Sequence, residues 1–181
     1  MVYRIKNYWE DIVPLNTVED FHQWHKSVGH RYQPGSLLIT GIDGKVGTSS
    51  WGNFPTESIN RPDYQVKDPI TGLPDQFGQF RTLRKLGVKQ LGLTKLPASI
   101  SALKHVWMLD ISFNRISLAE AKPIFQKMKS LKVLRVYGCD WDIETIDYLE
   151  NELGIEVRYT LEQHNEDIGW DRTSRSWLLR Y

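Results

Sequence analysis

Three histidines near the N-terminus have the spacing that comes nearest to a metal site in this chain. His22 and His25 lie three residues apart on a predicted helix, and His30 follows shortly after it. Side chains three apart share a helix face, and imidazole is a common zinc ligand. Phe21 and Trp24 are predicted to face the core from the same helix. The histidines are therefore expected to face solvent or to lie at its edge. We therefore predict no metal site, and keep a metal- or ligand-binding N-terminal region as the alternative.

A glycine-rich stretch, G-I-D-G-K-V-G-T from Gly41, superficially matches a phosphate-binding loop. The required G-x-x-x-x-G-K-[ST] spacing fails at both ends, because Ile39 stands at the first glycine position and Val46 at the hydroxyl position. A strand followed by a tight Asp-Gly turn fits better, which predicts a hairpin near residues 37–47.

The single cysteine, Cys139, is a nucleophile only if a histidine or a positive environment lowers its pKa. Its position in a repeated pattern, described below, predicts a buried and unreactive thiol instead. No Ser/His/Asp constellation, carboxylate pair or cofactor fingerprint can be defended from the spacing of other residues. We predict that the protein is not an enzyme and needs no cofactor.

Two stretches of the chain match each other at an offset of 23 residues: L-P-D-Q-F-G-Q-F-R-T-L-R-K-L-G-V from Leu73 and L-P-A-S-I-S-A-L-K-H-V-W-M-L-D-I from Leu96. Following the offset onward gives units of the form L-x-x-L-x-L-x-x-N/C-x-L. These units begin at Leu83, Val106 and Leu131, and a degenerate fourth retains Ile155 and Val157. Such a short fixed period predicts stacked supersecondary units.

These residues resemble the leucine-rich repeat family over residues 73–159, and the L-P-x-x-I segments are similar to its short intracellular-type repeats. The second unit matches best, with Asn114 at the asparagine position. Cys139 is an accepted substitute there in the third unit, whereas Leu91 departs from the pattern in the first. The resemblance implies an α/β solenoid with parallel strands on its concave side and turns and helices on its convex side. It also implies a protein-binding role.

Elementary patterning agrees with that fold. Apolar residues at period two place one face of each short strand in the core. Ser117 and Glu120 have capping-box spacing for a helix after the second strand, whose interior Pro123 should disturb. Asp142 is a predicted N-cap for a helix after the third strand, and Gly154 is its predicted end.

The solenoid at residues 73–160 is expected to lie between folded caps at residues 1–72 and 161–181. Five of the seven tryptophans fall in these flanking segments, and disordered tails are poor in aromatic residues. Thr17 and Asp20 have capping-box spacing, which predicts a helix over residues 17–28 that ends before Gly29. Three prolines between Ser49 and Gly72 predict an irregular connection.

Strand residues between the consensus leucines are the best candidates for function, because the fold leaves them free. Small polar residues are expected there, but this chain carries aromatic and charged residues typical of binding hot spots. The candidate partner-binding residues are Lys85, Lys89, Trp107, Met108, Asp110, Phe113, Lys132, Arg135, Tyr137, Arg158 and Tyr159. The competing interpretation is that the aromatic members pack against a flanking segment folded over the concave face.

Composition narrows the class of partner. The 23 basic and 22 acidic residues give a net charge of +1, which makes no case for nucleic acid or an anionic membrane. A single cysteine and the lack of a signal-like or membrane-spanning apolar run predict a cytoplasmic protein. We therefore predict a non-catalytic protein-binding module, with a small inhibitor or immunity-type protein as a narrower alternative.

Overall fold

One parallel sheet organises the chain in its computed structural model, which describes residues 9, 11–15, 17–28, 31–41, 72–139, 141–160, 162–163 and 167. The strands are β1 (Asp11–Leu15), β2 (Ser36–Gly41), β3 (Lys85–Lys89), β4 (Met108–Asp110), β5 (Val133–Arg135) and β6 (Glu156–Arg158). The helices are α1 (Val18–Val28), α2 (Leu118–Phe125) and α3 (Ile143–Leu153), and short 3₁₀ turns lie at Phe77–Gln79 and Ala98–Ala102.

The six described strands lie side by side in chain order, and all five pairings between them are parallel. The predicted α/β class is thereby confirmed. One buried apolar residue from each of five adjacent strands lies in register. These residues are Leu37, Leu86, Leu109, Leu134 and Val157. Stacking of the strands therefore builds a continuous core that no single strand and its return segment bury alone.

The sheet begins earlier in the chain than the repeat pattern predicts. Strands β1 and β2 precede the repeats, and β2 pairs with β1 on one edge and β3 on the other. The predicted hairpin near residues 37–47 is wrong for β2, because both of its edges are occupied by parallel neighbours. Its predicted turn and return strand at residues 42–47 lie outside the described residues.

Helix α1 joins the N-terminal region to the first repeat. The ring of Phe21, fully buried, stacks on Phe77 with centroids 5.2 Å apart, and Trp24 lies 6.1 Å from Phe80. The capping box holds with aspartate: Thr17 Oγ1 accepts from the Asp20 amide at 3.1 Å, and Asp20 Oδ2 accepts from the Thr17 amide at 2.8 Å. The predicted helix over residues 17–28 is confirmed.

The predicted start of α2 and both predicted ends of α3 are confirmed. Ser117 accepts from the Glu120 amide at the start of α2. This helix runs through Pro123 to Phe125, so the expected disturbance of its interior is wrong. Asp142 accepts from the Thr145 amide at 2.7 Å, a hydrogen bond that lowers the pKa of this exposed carboxyl. Gly154 ends α3 in the left-handed region at φ 63°, where a glycine avoids the steric cost of a side chain.

Asn114, at the asparagine position of the second unit, bonds backbone groups through its side chain. Its buried amide nitrogen donates to the carbonyls of Val88 and Ile111 at 2.6 and 2.8 Å. Its oxygen accepts from the amides of Leu91 and Leu93, both at 3.1 Å. One side chain thus satisfies buried backbone groups of two successive units where the chain leaves the strands.

Candidate functional site

The face of the sheet opposite the core carries the predicted binding residues. We call it the strand face; its central row is Leu38, Gly87, Asp110, Arg135 and Arg158, which occupy matching register positions on β2 to β6. A row of this kind is formed because alternate residues of each strand point away from the core. Segments from both ends of the chain contact this row.

Trp9 packs over the strand face at β2 and β3, the end of the sheet that comes first in the chain. A Cβ placed on Gly87 would lie 3.1 and 3.2 Å from two ring atoms of Trp9, and 2.5 Å from Cδ1 of Leu38. Trp9 itself is only 9% exposed. Glycine at position 87 therefore makes room for an indole ring that lies over the strand, which is a packing role.

Asp167 covers the other end of the strand face. Its Oδ2 atom lies 2.7 Å from Nε of Arg135 as an ion pair outside hydrogen-bond geometry, and it accepts from Nε of Arg158 at 3.2 Å. It also accepts from the hydroxyl of Tyr137 at 2.5 Å. We call these four residues the Asp167 cluster. Asp110 adds a second carboxylate, 4.0 Å from Nη1 of Arg135.

The Asp167 cluster is withdrawn from solvent. The side chains of Arg135 and Asp167 are 7% and 14% exposed. Burial of Tyr137, together with its hydrogen bond to Asp167, raises the pKa of the phenol above its ordinary value. Tyr137 is therefore a neutral donor at physiological pH. The cluster pairs each buried charge with an opposite one, which is the condition for burying charges at all.

The expectation of exposed strand side chains is wrong for five of the eleven predicted residues, which are buried. They are Met108, Asp110, Phe113, Arg135 and Tyr137. Arg158 and Tyr159 are partly buried. The reason is the one kept as the competing interpretation for the aromatic members: flanking residues pack over the face, at one end through Trp9 and at the other through Asp167. Binding of a partner by the remaining residues stays a prediction.

The other four predicted residues are at least partly exposed. Trp107 and Lys132 are exposed, and Lys85 and Lys89 are partly buried. Trp107 is 36% exposed, one of two large apolar side chains in the described part of the chain with that much exposure. Nζ of Lys85 lies 5.6 Å from the Trp107 ring centroid, and Nζ of Lys89 lies 5.5 Å from that of Phe113. Both are cation–π distances.

Trp107 lies where the N-terminal ends of the strands meet, which we call the open edge. Backbone hydrogen bonds hold it in a row with residues of the neighbouring strands. Its amide donates to the carbonyl of Arg84 at 2.9 Å, and its carbonyl accepts from the amide of Lys132 at 2.8 Å. Arg84, Trp107 and Lys132 each directly precede their strand, so they lie side by side on adjacent strands. We call Arg84, Lys85, Trp107 and Lys132 the Trp107 surface.

A surface depression of about 550 Å³ adjoins the Trp107 surface. We call it the basic depression; it is lined by Arg81, Thr82, Arg84, His105, Trp107 and Ser130. A second depression of about 260 Å³ shares Arg81 and His105 with it and adds Lys104. Arg81, Arg84, Lys104 and His105 are not among the residues that the repeat pattern predicted for binding. The repeat offset was the available signal, because it aligns Arg81 with Lys104 and Arg84 with Trp107.

The other sequence candidates do not converge on a chemical site. Within the described residues, no group of three His, Cys, Asp or Glu side chains has metal-binding geometry. His25 instead stacks on Phe21 with ring centroids 6.0 Å apart. His30 and most of the glycine-rich loop lie outside the described residues. Cys139 is buried as predicted, and burial raises the pKa of its thiol to about 12.

Comparisons with known proteins leave the family open: no protein-family model matches the chain, and no curated protein matches it significantly. None of the helices among the described residues is both long enough and apolar enough to cross a membrane.

Proposed function

We propose that the chain is a non-catalytic, leucine-rich repeat type protein that binds a protein partner through the Trp107 surface. The observation that carries this proposal is an exposed tryptophan held in register between Arg84 and Lys132. Tryptophan and arginine are the residues most enriched in binding hot spots. An indole in this position costs solvation free energy in the isolated chain, and a partner that covers it recovers that cost.

The repeat architecture supports the proposal. Four consecutive strands, β3 to β6, follow one another in chain order with parallel pairing. Asn114 links the first and second units through buried hydrogen bonds. In the third unit, the thiol of Cys139 donates to the carbonyl of Ile111 in the second unit, at 3.4 Å. This stacking supports a short solenoid, and solenoids expose extended surfaces suited to binding. The step from solenoid to binding is one of fold analogy.

The strand face is covered at both ends, whereas Trp107 is exposed, and this contrast favours the Trp107 surface as the binding site. Trp9 and Asp167 occupy the strand face, so its buried residues serve the fold. Trp107 precedes β4 and lies beside that covered region rather than beneath it. The thiol of Cys139, protonated and buried, offers no nucleophile at neutral pH. Recognition therefore fits the geometry better than catalysis.

A pair of alanine variants tests the proposal. Trp107→Ala removes the proposed anchor, and Ile143→Ala removes an exposed apolar side chain of 55% exposure at the start of α3 as the matched control. Wild-type and variant proteins are used as baits in native extracts, captured proteins are quantified by mass spectrometry, and the leading candidate is purified. Its Kd for each bait is then measured by calorimetry, after thermal unfolding has shown that both variants fold.

We expect Trp107→Ala to weaken binding by 2 kcal/mol or more, or about thirtyfold, and Ile143→Ala to leave it unchanged. Equal binding by all three baits would refute the Trp107 surface as the binding site. A partner lost equally with both variants would show that general surface hydrophobicity, rather than the Trp107 anchor, retained it.

A further inference from the structure

We infer that the basic depression takes an acidic protein segment, one in which Asp or Glu side chains flank an apolar residue that packs on Trp107. This inference rests on the proposed function and adds the chemistry of the partner. It is carried by the juxtaposition of Arg81, Arg84 and His105 around one exposed indole.

The backbone fixes this juxtaposition. Adjacent parallel strands lie about 4.8 Å apart, and the residues before β3, β4 and β5 are tied into one ladder by backbone hydrogen bonds. The hydroxyl of Ser130 donates to the carbonyl of Lys104, so a side-chain hydrogen bond also joins the segments that lead into β4 and β5. Within the backbone ladder, Arg84 and Lys132 flank Trp107 at positions fixed by the strands.

The positive charge of the basic depression is not neutralised within the described part of the chain. Arg81, Arg84 and Lys104 form no ion pair with any described carboxylate. The nearest acid along the ladder is Glu156, which pairs with Arg158 at 3.1 Å. Arginine forks bind carboxylates in a bidentate geometry, so the depression offers acceptor groups two well-formed partners.

The distribution of charge among the described residues points the same way. The chain as a whole has a net charge of only +1, so its basic residues are nearly balanced in number by acidic ones. Helix α3, I-E-T-I-D-Y-L-E-N-E-L, carries four acidic residues and no basic one. A charge pattern of this kind orients a partner of opposite sign and suppresses approach of basic surfaces.

A protein segment fits better than a nucleic acid. Single strands are bound through several aromatic side chains that stack successive bases along a basic groove. The described residues place one exposed tryptophan in the basic depression, which is instead the arrangement of a single apolar anchor within a charged rim. Nucleic acid therefore enters as a competing outcome of the experiment.

The experiment uses a phage-displayed library of random peptides, about twelve residues long, selected on the immobilised full chain. The best peptide is synthesised, labelled and titrated by fluorescence polarisation. The variants are the Arg81→Glu/Arg84→Glu double substitution, Trp107→Ala, and Lys127→Glu as a charge-reversal control on an exposed residue just after α2. A labelled single-stranded RNA of similar length is titrated in parallel.

We expect enrichment of acidic peptides with an apolar residue, a loss of affinity of tenfold or more in the double variant, and no change in Lys127→Glu. Affinity should also fall as salt rises, and lysine in place of the peptide's acids should restore binding to the double variant. Neutral or basic selected peptides, an unaffected double variant, or tighter binding of the RNA would each overturn the inference. Binding that requires Trp107 but ignores Arg81 and Arg84 would remove this inference and leave the proposed function intact.

Discussion

Met108 and Trp107 are neighbours in the chain, yet one is 1% exposed and the other 36% exposed. Met108 is the first residue of β4 and belongs to the strand face, on which Trp9 and Asp167 pack. Trp107 precedes the strand and lies beyond that covered region. Successive positions of one repeat unit therefore differ in exposure. Side chains on the strand face are covered by residues from the two flanking segments, whereas Trp107, just before the strand, remains exposed to solvent.

This comparison changes how aromatic and charged strand residues are interpreted. The same residue types that mark a binding hot spot also complete a buried network when a flanking segment supplies the partner. Arg135 and Tyr137 contact Asp167 of this chain, so the cation already has an opposite charge and the phenol already has a hydrogen-bond acceptor. Arg81 and Arg84 have no such ion-pair partner in the described residues, which is why function is assigned to the edge.

The largest expected difference between the two regions concerns charge. Asp167→Ala leaves Arg135, a buried cation, without its closest partner, and we expect the free energy of unfolding to fall by about 3 kcal/mol or more. Arg84→Ala should change it by about 0.5 kcal/mol or less. Urea titration of both variants measures these values. Asp167→Asn keeps a hydrogen-bond acceptor, so it should lose less stability than Asp167→Ala. If the wild-type protein and both Asp167 variants were equally stable, Asp167 would lie outside the folded core.

The adjacent residues 107 and 108 give the second difference. Met108→Ala opens a cavity beneath the covered face, and truncations of this kind cost about 2–5 kcal/mol. Trp107→Ala removes a half-exposed ring and its contact with Lys85, for which we expect about 1 kcal/mol. Calorimetric unfolding distinguishes them. A larger loss in Trp107→Ala than in Met108→Ala would mean that Trp107 is a structural residue, which contradicts the proposed binding role.

Gly87→Ala tests how tightly Trp9 and Leu38 close over the strand face. Alanine in a strand interior ordinarily stabilises relative to glycine by about 0.5–1 kcal/mol. Here the new methyl would lie 2.5 Å from Leu38 Cδ1, and relieving such overlap costs about 1–3 kcal/mol, so a net loss is expected. The control is the same substitution in a Leu38→Ala background, where the loss should shrink. A stabilised Gly87→Ala would show that the N-terminal cover is loose.

Sequence patterns predicted the parts of this molecule that depend on local physics. The repeat offset placed Leu86, Leu109 and Leu134 on the core side, and the caps at Asp142 and Gly154 followed from short-range hydrogen bonding and backbone conformation. The pairing of β2 with β3 was not predictable in this way, because the chain between them is long and the pairing has no local signal.

A covered strand face was one of two interpretations that the Trp-rich flanks allowed, but the residues that form the cover could not be predicted. The contacts of Asp167 with Arg135 and Tyr137 join segments about thirty residues apart, and one aspartate in a flanking segment carries no pattern that predicts them. The basic depression was more accessible. Aligning residues before each strand at the repeat offset, instead of only those between the leucines, brings Arg81, Arg84 and Lys104 together.

Alkaline pH provides the smallest and most specific comparison, because two weak acids, the Cys139 thiol and the Tyr137 hydroxyl, are buried in the folded protein. Burial raises the pKa of Cys139 to about 12 in the folded protein, whereas an unfolded thiol titrates near 8.5. Between these values the unfolded chain loses a proton that the folded chain keeps, so unfolding becomes more favourable as pH rises. We expect a loss of about 1 kcal/mol between pH 8 and pH 9.5 from this group alone.

Tyr137 extends the same trend upward, since its raised pKa adds a further loss of stability once the pH exceeds the ordinary phenol value near 10. Urea titrations at half-unit intervals from pH 7 to pH 10.5 measure both contributions. Cys139→Ala should flatten the profile below pH 10, and Tyr137→Phe should flatten it above that value, whatever each substitution costs at neutral pH. Trp107→Ala should leave its shape unchanged, because an indole side chain carries no group that titrates in this range. A profile that stays level in the wild-type protein would mean that the thiol and the phenol are accessible to solvent, which contradicts the covered strand face at Tyr137.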